Sequence, residues 1–229
     1  MSIEEYFGDW SGIVNLKEAD SIMKRLASSK VKVCPDLNNV FKAFLKCPYH
    51  KLTTVILGQD PYPTLLEGKP VATGIAFANS KETLENQLSP SLKVLTESVI
   101  DYSFPHGIVN FDHSFEKWEE QGVLLINTSL SCEVGKPGSH SLLWRPFIKD
   151  FLSKLSSCTS GIIYILLGEA ACSFKQYIHP ATSNILCEKH PSWYYRNKQR
   201  MPSDIWRSAE KLFKYINGYD LKLYDELSI

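Results

Sequence analysis

The chain has 229 residues, 44% hydrophobic and 22% charged, which is ordinary globular usage with enough apolar material for a packed core that needs no metal or disulfide staple. Lys+Arg and Asp+Glu each number 25, so net charge gives no sign of a polyanion partner, and any positive charge for DNA has to be local. The six cysteines (Cys34, Cys47, Cys132, Cys158, Cys172 and Cys187) form no C-x-x-C pair. With no signal pattern at the start and no run of membrane-spanning length, we expect a reduced intracellular protein with buried, inert thiols and no metal.

In chain order, periodic apolar positions predict helices over Lys17–Ser28 and Asp36–Leu45, and the apolar run Thr53–Leu57 predicts a strand. Gly58-Gln59-Asp60-Pro61-Tyr62-Pro63 follows. Locally this is either a plain rigid turn with a capping Asp, or a loop that holds one carboxylate, Asp60, and one phenol, Tyr62, in place. Phe77, in Gly74–Asn79, belongs by default to the core. Helices are expected over Leu84–Tyr102 and Phe111–Glu120, then a strand over Val123–Ile126 that ends at Asn127. That residue either caps a turn or pairs with a base edge. A helix at Leu142–Leu155, a strand at Ile162–Leu167, a helix at Glu169–Tyr177 and a strand at Asn184–Cys187 come next. Glu188-Lys189-His190-Pro191-Ser192 follows the last strand, and His190 is either a donor to an anion or a satisfied core histidine. A helix over Asp204–Tyr215 completes the pattern. The segment Lys189–Lys214 is rich in Lys and Arg, which reads as a solvated helix face or a DNA-facing surface.

The four strands are rich in Val, Ile and Leu without alternation, as strands covered on both faces are. Strands alternating with helices predict one α/β domain over residues 1–229, a four-stranded twisted parallel sheet flanked by helices on both faces. Ligands of such sheets bind beyond the carboxyl ends of the strands, so Asp60, Asn127 and His190 converge on one crevice.

At this point the sequence resembles the family 1 uracil-DNA glycosylases over nearly its whole length. Pro35, Val40-Phe41 and Ala43-Phe44 fit the lead-in, and Val55–Tyr62 (Val-Ile-Leu-Gly-Gln-Asp-Pro-Tyr) is similar to the water-activating loop. Gly74–Phe77 resembles the uracil-stacking segment, Ser89-Pro90-Ser91-Leu92 the DNA-clamping loop, and Gln121–Thr128 the uracil-reading strand. Ile165-Leu166-Leu167-Gly168 and His190-Pro191-Ser192 follow in the family's order.

The resemblance implies an enzyme that flips uracil out of DNA and hydrolyses its bond to the sugar. By it Asp60 positions the water and faces the cationic sugar, and His190 donates to uracil O2 near the Gln59 amide. Tyr62 lies against C5, Phe77 stacks on the base and Asn127 reads its edge. Ser89, Pro90, Ser91, Gly168, Ser192, Tyr194 and Arg196 are implied to contact DNA, with the residue near Tyr194 filling the gap in the stack. The resemblance further implies no cofactor, uracil-containing DNA (single- or double-stranded) as substrate, DNA-mimicking inhibitor proteins as partners and no membrane association. A monomer is expected, in the cytoplasm or, for a eukaryotic or nuclear-replicating viral source, the nucleus. Because flipping its amide would let Asn127 read cytosine, we expect neighbouring groups to lock that amide.

The chain departs from the family's pattern in places. Pro63 stands where relatives carry His, Glu169 where they carry a phosphate-binding Ser, and Tyr194 where they carry the Leu wedge; the tail lacks Gly-Phe-Phe. The main rival is a DNA-binding accessory subunit that keeps the fold without the activity. Gly68-Lys69 and Gly135-Lys136 are followed by Pro and make no P-loop, no G-x-S-x-G elbow is present, and Tyr62 would obstruct the methyl of a mismatched thymine.

Overall fold

A computed structural model of the chain describes residues 3–103 and 109–226. Ile3–Phe7 (α1) leads through a 3-10 turn to Leu16–Ser28 (α2). The α2 helix starts at Asn15, whose side chain accepts from the Glu18 N–H at 3.2 Å, and buries Ala19, Ile22 and Leu26 along one stripe. Lys42–Lys46 (α3) precedes the first long strand, Thr54–Gly58 (β1). Pro90–Ser103 (α4) and Glu116–Glu120 (α5) lead to Val123–Asn127 (β2). Ser141–Cys158 (α6), Ile162–Leu167 (β3), Glu169–Cys172 (α7), Ser183–Glu188 (β4), Pro191–Asn197 (α8) and Asp204–Asn217 (α9) complete the order.

The four strands form one parallel sheet in the order β2-β1-β3-β4, as expected from the strand–helix alternation. Every residue of β1, β2 and β3 is buried. Since successive side chains of a strand point to opposite faces, both faces of these three are covered. The fourth strand differs. Its residues are only partly buried and Cys187 is exposed: of the two edge strands, β2 is fully covered and β4 is not. Cys158 is exposed too, so the expectation of buried, inert thiols holds for Cys34, Cys47 and Cys132 and fails for these two.

Helix boundaries shifted where side chains capped the backbone early. Asp112 accepts from the Ser114 and Lys117 N–H groups at 2.9 and 3.3 Å, and helix α5 begins only at Glu116, not Phe111. Residues 84–89 turn through Glu85–Gln87, and Pro90 opens α4. The stretches Asp36–Leu45 and Glu169–Tyr177 each divide into a short helix and a 3-10 turn.

Aromatic rings fill the core. Trp10, Trp118, Trp144 and Trp206 are buried, and each indole N–H has an acceptor: the Cys47 and Leu223 carbonyls and the Ser131 and Ser98 hydroxyls, at 2.8–3.0 Å.

Glu119 on α5 has no such partner. It is buried, neither carboxylate oxygen is hydrogen-bonded among the described residues, and burial pushes its pKa up to about 8 against the pull of Lys46 and Lys42. The fold accepts the neutral form, so the associated stability is full below the unfolded pKa near 4.3 and is lost as pH rises towards 8. We expect Glu119→Gln to flatten the fall in urea-unfolding free energy between pH 4.5 and 8 by on the order of 2–4 kcal/mol. Equal slopes for the two proteins would exclude Glu119 as its source.

Candidate active site

Beyond the carboxyl ends of β1, β2 and β3 lies a cleft of about 690 Å³, and Asp60, Tyr62, Phe77, Asn127, Gly168 and His190 all line it. The sheet register explains part of the convergence, because Gly58 and Asn127 are Cα partners at the ends of adjacent strands. Asp60 follows β1 by two residues, and His190 follows β4 by two.

Asp60 is half-buried and accepts a hydrogen bond from the Gly138 backbone N–H. Burial raises its pKa above the ordinary carboxylate value, and the Gly138 N–H opposes that by favouring the anion. Gly138 lies in the Gly135–His140 loop, itself pinned by a hydrogen bond from the Gly135 N–H to the Pro63 carbonyl at 2.8 Å. The sequence reading passed over Gly138; the only local signal was the turn-forming Pro137-Gly138 pair.

His190 is the N-cap of α8. Its Nδ1 accepts from the Ser192 N–H at 3.1 Å and lies 2.8 Å from the Ser192 hydroxyl, which Arg196 also contacts at 3.2 Å. A ring nitrogen that accepts from an amide carries no proton, so the proton sits on Nε2. Burial, helped by the Arg196 charge, lowers the His190 pKa to about 4. The imidazole is therefore a neutral Nε2–H donor at physiological pH.

The aromatic walls of the cleft are fixed by other means. Phe77 is buried with φ of 66°, a left-handed conformation that costs a non-glycine residue roughly 1–2 kcal/mol. Flanking backbone hydrogen bonds hold it there, from Ala76 to Leu125, Ala78 to Ile75 and Asn79 to His113. The Phe77 carbonyl accepts from the Tyr62 hydroxyl at 2.9 Å, so the two rings share one support. The Phe77 ring centroid lies 5.6 Å from that of His190.

Asn127 departs from expectation. No hydrogen bond to another side chain or to backbone locks its amide among the described residues; packing orients it instead. A Cβ at Gly58 would lie 2.4 Å from Asn127 Oδ1 and 3.0 Å from the Phe77 ring. The Gln59 carbonyl accepts from the Ser129 N–H and the Thr128 hydroxyl at 3.0 and 2.7 Å, anchoring the loop beside it.

The sequence model of the Uracil DNA glycosylase superfamily matches residues 46–214, which include all of these groups. This chain belongs to that superfamily. A uracil-DNA glycosylase of Borreliella burgdorferi (strain ZS7) is 31% identical over 95% of this chain and 96% of its own. Among solved structures, mimivirus uracil-DNA glycosylase superposes with a TM-score of 0.72 at 21% identity, covering 99% of this chain and 94% of that one. A complex of mimivirus UNG with UGI aligns at 25% identity and a TM-score of 0.64 over 79% and 73% of the two chains.

Within this superfamily member, the expected DNA contacts divide. Ser91, Ser192 and Arg196 line the cleft, with Glu169 exposed at its edge. Ser89 does not; it is buried, and its hydroxyl supports Tyr62. Pro90 is exposed outside the cleft lining. Gly168 lines the cleft, but its N–H donates to the Glu188 carbonyl at 2.8 Å and is closed to a phosphate. Its contribution is space: φ is 98°, and a Cβ there would meet His190 Cβ at 2.8 Å. Tyr194 falls one helical turn from Pro191 on the inward face of α8, is buried, and its hydroxyl donates to Glu188 Oε1 at 2.6 Å. Of the basic segment, Lys189 and Arg196 reach the cleft, while Arg200 and Lys214 pair with Asp101 and Asp220.

Two outcomes follow from this geometry. The His190 imidazole should stay in the neutral Nε2–H form above about pH 5 in nitrogen NMR and charge only near pH 4; a midpoint near 6.5 would contradict its buried, accepting role. Gly168→Ala should leave a folded protein with kcat lowered about a hundredfold or more, since it displaces His190. Full activity in that variant would show that the close approach is dispensable.

Proposed function

We propose the following division of labour for the removal of uracil from DNA by this member of the family. The target base is unreachable inside a duplex and is extruded into the cleft, against Phe77 and Tyr62. As the N1–C1′ bond breaks, its electron pair leaves with uracil and gathers on O2, while C1′ becomes cation-like. His190 Nε2–H donates to that oxygen without giving up its proton, a role a neutral imidazole fills. Such a preorganised donor is worth roughly 3–4 kcal/mol of transition-state stabilisation. The Asp60 carboxylate faces the sugar, orients a water towards C1′ and accepts its proton as the new C–O bond forms. The products are free uracil and an abasic site, and no metal or organic cofactor takes part in any of these steps.

Tyr62 gives selectivity over thymine. A hydrophobic pocket alone separates a methyl by only about 1–3 kcal/mol, but a ring fixed by its hydrogen bond to the Phe77 carbonyl cannot yield without strain. Asn127 keeps its donor and its acceptor for the base edge, since among the described residues no side chain or backbone group occupies them.

The observation that carries this reading is the pairing, in one cleft, of a carboxylate held by a backbone N–H with a neutral histidine whose free nitrogen bears the proton. We further propose a monomer that works where the DNA is, in the cytoplasm or, for a eukaryotic or nuclear-replicating viral source, the nucleus. UGI is bound to the mimivirus relative, and we extend DNA-mimicking inhibitors to this chain as a partner class. Release of uracil from a labelled oligonucleotide in EDTA tests the function. We expect uracil but not thymine to be released, and Asp60→Asn to slow release about a thousandfold. A well-folded protein that binds the oligonucleotide and releases nothing would favour the accessory-subunit reading.

A further inference from the structure

With Tyr194 turned inward, the gap left by an extruded nucleotide has no candidate at the expected position. The residue before it is differently placed. Trp193 lines the cleft and is only half-buried. Lys189 Nζ sits 3.7 Å from its ring centroid, occupying one face as a cation–π partner. Tyr194 meets it edge-on at 5.1 Å, and the Glu188 carboxylate that holds the Tyr194 hydroxyl also accepts from the Lys189 N–H at 2.7 Å. Asn197 Nδ2 donates to the Trp193 carbonyl at 2.8 Å. The indole is thus held by Lys189 on one face and by Tyr194 edge-on in the cleft lining, with Asn197 fixing its backbone carbonyl and the Arg196 charge in the same lining for phosphates.

Resting on the function proposed above, we propose that Trp193 is a base-stacking platform that receives the nucleotide flanking the extruded uracil, in single strands as in duplexes. A flat aromatic surface beside cationic groups is how single-stranded nucleic acid is held irrespective of sequence. A wedge, by contrast, replaces a missing base between two pairs and matters only in a duplex. Glu188 and Tyr194 act as positioning residues for this platform.

The other tryptophans, Trp10, Trp118, Trp144 and Trp206, are at most 2% exposed, so DNA-induced quenching of indole fluorescence reports on Trp193. Wild type, Trp193→Ala, Trp193→Phe and the exposed-surface control Tyr195→Ala are compared on single-stranded and duplex uracil oligonucleotides. We expect quenching by both DNAs in wild type and none in Trp193→Ala. KM should rise about tenfold or more for both substrates in Trp193→Ala, exceeding any change in kcat, and return most of the way in Trp193→Phe. Tyr195→Ala should match wild type. A defect confined to the duplex would make Trp193 a wedge and overturn the platform. Uracil release unaffected by Trp193→Ala would overturn the platform alone, whereas no release by wild type would overturn the function beneath it.

Discussion

The site depends on two close approaches between neighbouring chain segments, and each is possible only because a Cβ is missing. At the end of β1, Gly58 lets Asn127 and Phe77 close over the strand; just beyond β3, Gly168 lets His190 lie against it. Both glycines sit at the carboxyl ends of the two central strands of the sheet. Parallel strands all deliver their next residues to the same edge, so the loops that carry Asp60, Asn127 and His190 must crowd there. Without the glycines, crowding would push these groups apart. Sheet topology supplies the convergence, and the absent side chains decide how tight it becomes.

Tightness has an electrostatic consequence that acts oppositely on the two reacting groups. Burial raises the Asp60 pKa and lowers that of His190, favouring the neutral form of both. For the histidine this is what the chemistry needs, and Ser192 reinforces it by donating to Nδ1. For the aspartate it is a cost, since the carboxylate must face a developing cation. The Gly138 N–H offsets that cost with a hydrogen bond to the anion. Burial thus acts on both groups, and their backbone partners differ: Gly138 donates to the Asp60 carboxylate, and the Ser192 N–H donates to His190 Nδ1. Phe77 shows the same economy: a strained φ is tolerated because its carbonyl, presented by that strain, supports the Tyr62 wall.

How much of this was legible in the sequence varied with the physical signal. The four strands and their order of appearance were, because continuous Val, Ile and Leu runs between helical stretches have few other uses. The aggregation of Asp60, Asn127 and His190 at strand ends was legible for the same reason. Helix starts were not, where Asp112 or Pro90 intervened, since a capping side chain competes with periodicity over only a few residues. The partial exposure of β4 was hidden because apolar composition does not reveal how completely neighbouring elements cover a strand. The space-making role of Gly168 was hidden because a contact between residues 168 and 190 leaves no local trace. Glu119 looked like any helix-surface acid, yet it is buried without a partner, and no short-range pattern announces that.

In α8 the helix phase decides which residues meet the cleft. Position 194 stands where the resembling family carries its wedge, but residue count alone does not say which way a helix turns. Residues in a helix advance about 100° each, so Pro191 and Tyr194 share one face while Trp193 and Arg196, likewise three apart, share another. The first pair is buried or anchored to Glu188, and the second lines the cleft. Once Tyr194 takes the inward face, the outward one passes to Trp193. The same rotation brings Arg196 to Ser192, and Ser192 to His190, so the support of the imidazole and the residues α8 presents to the cleft are set by a single helix phase. A substitution that shifts that phase, by loosening Tyr194 from Glu188, would be felt at the imidazole and at the DNA surface together.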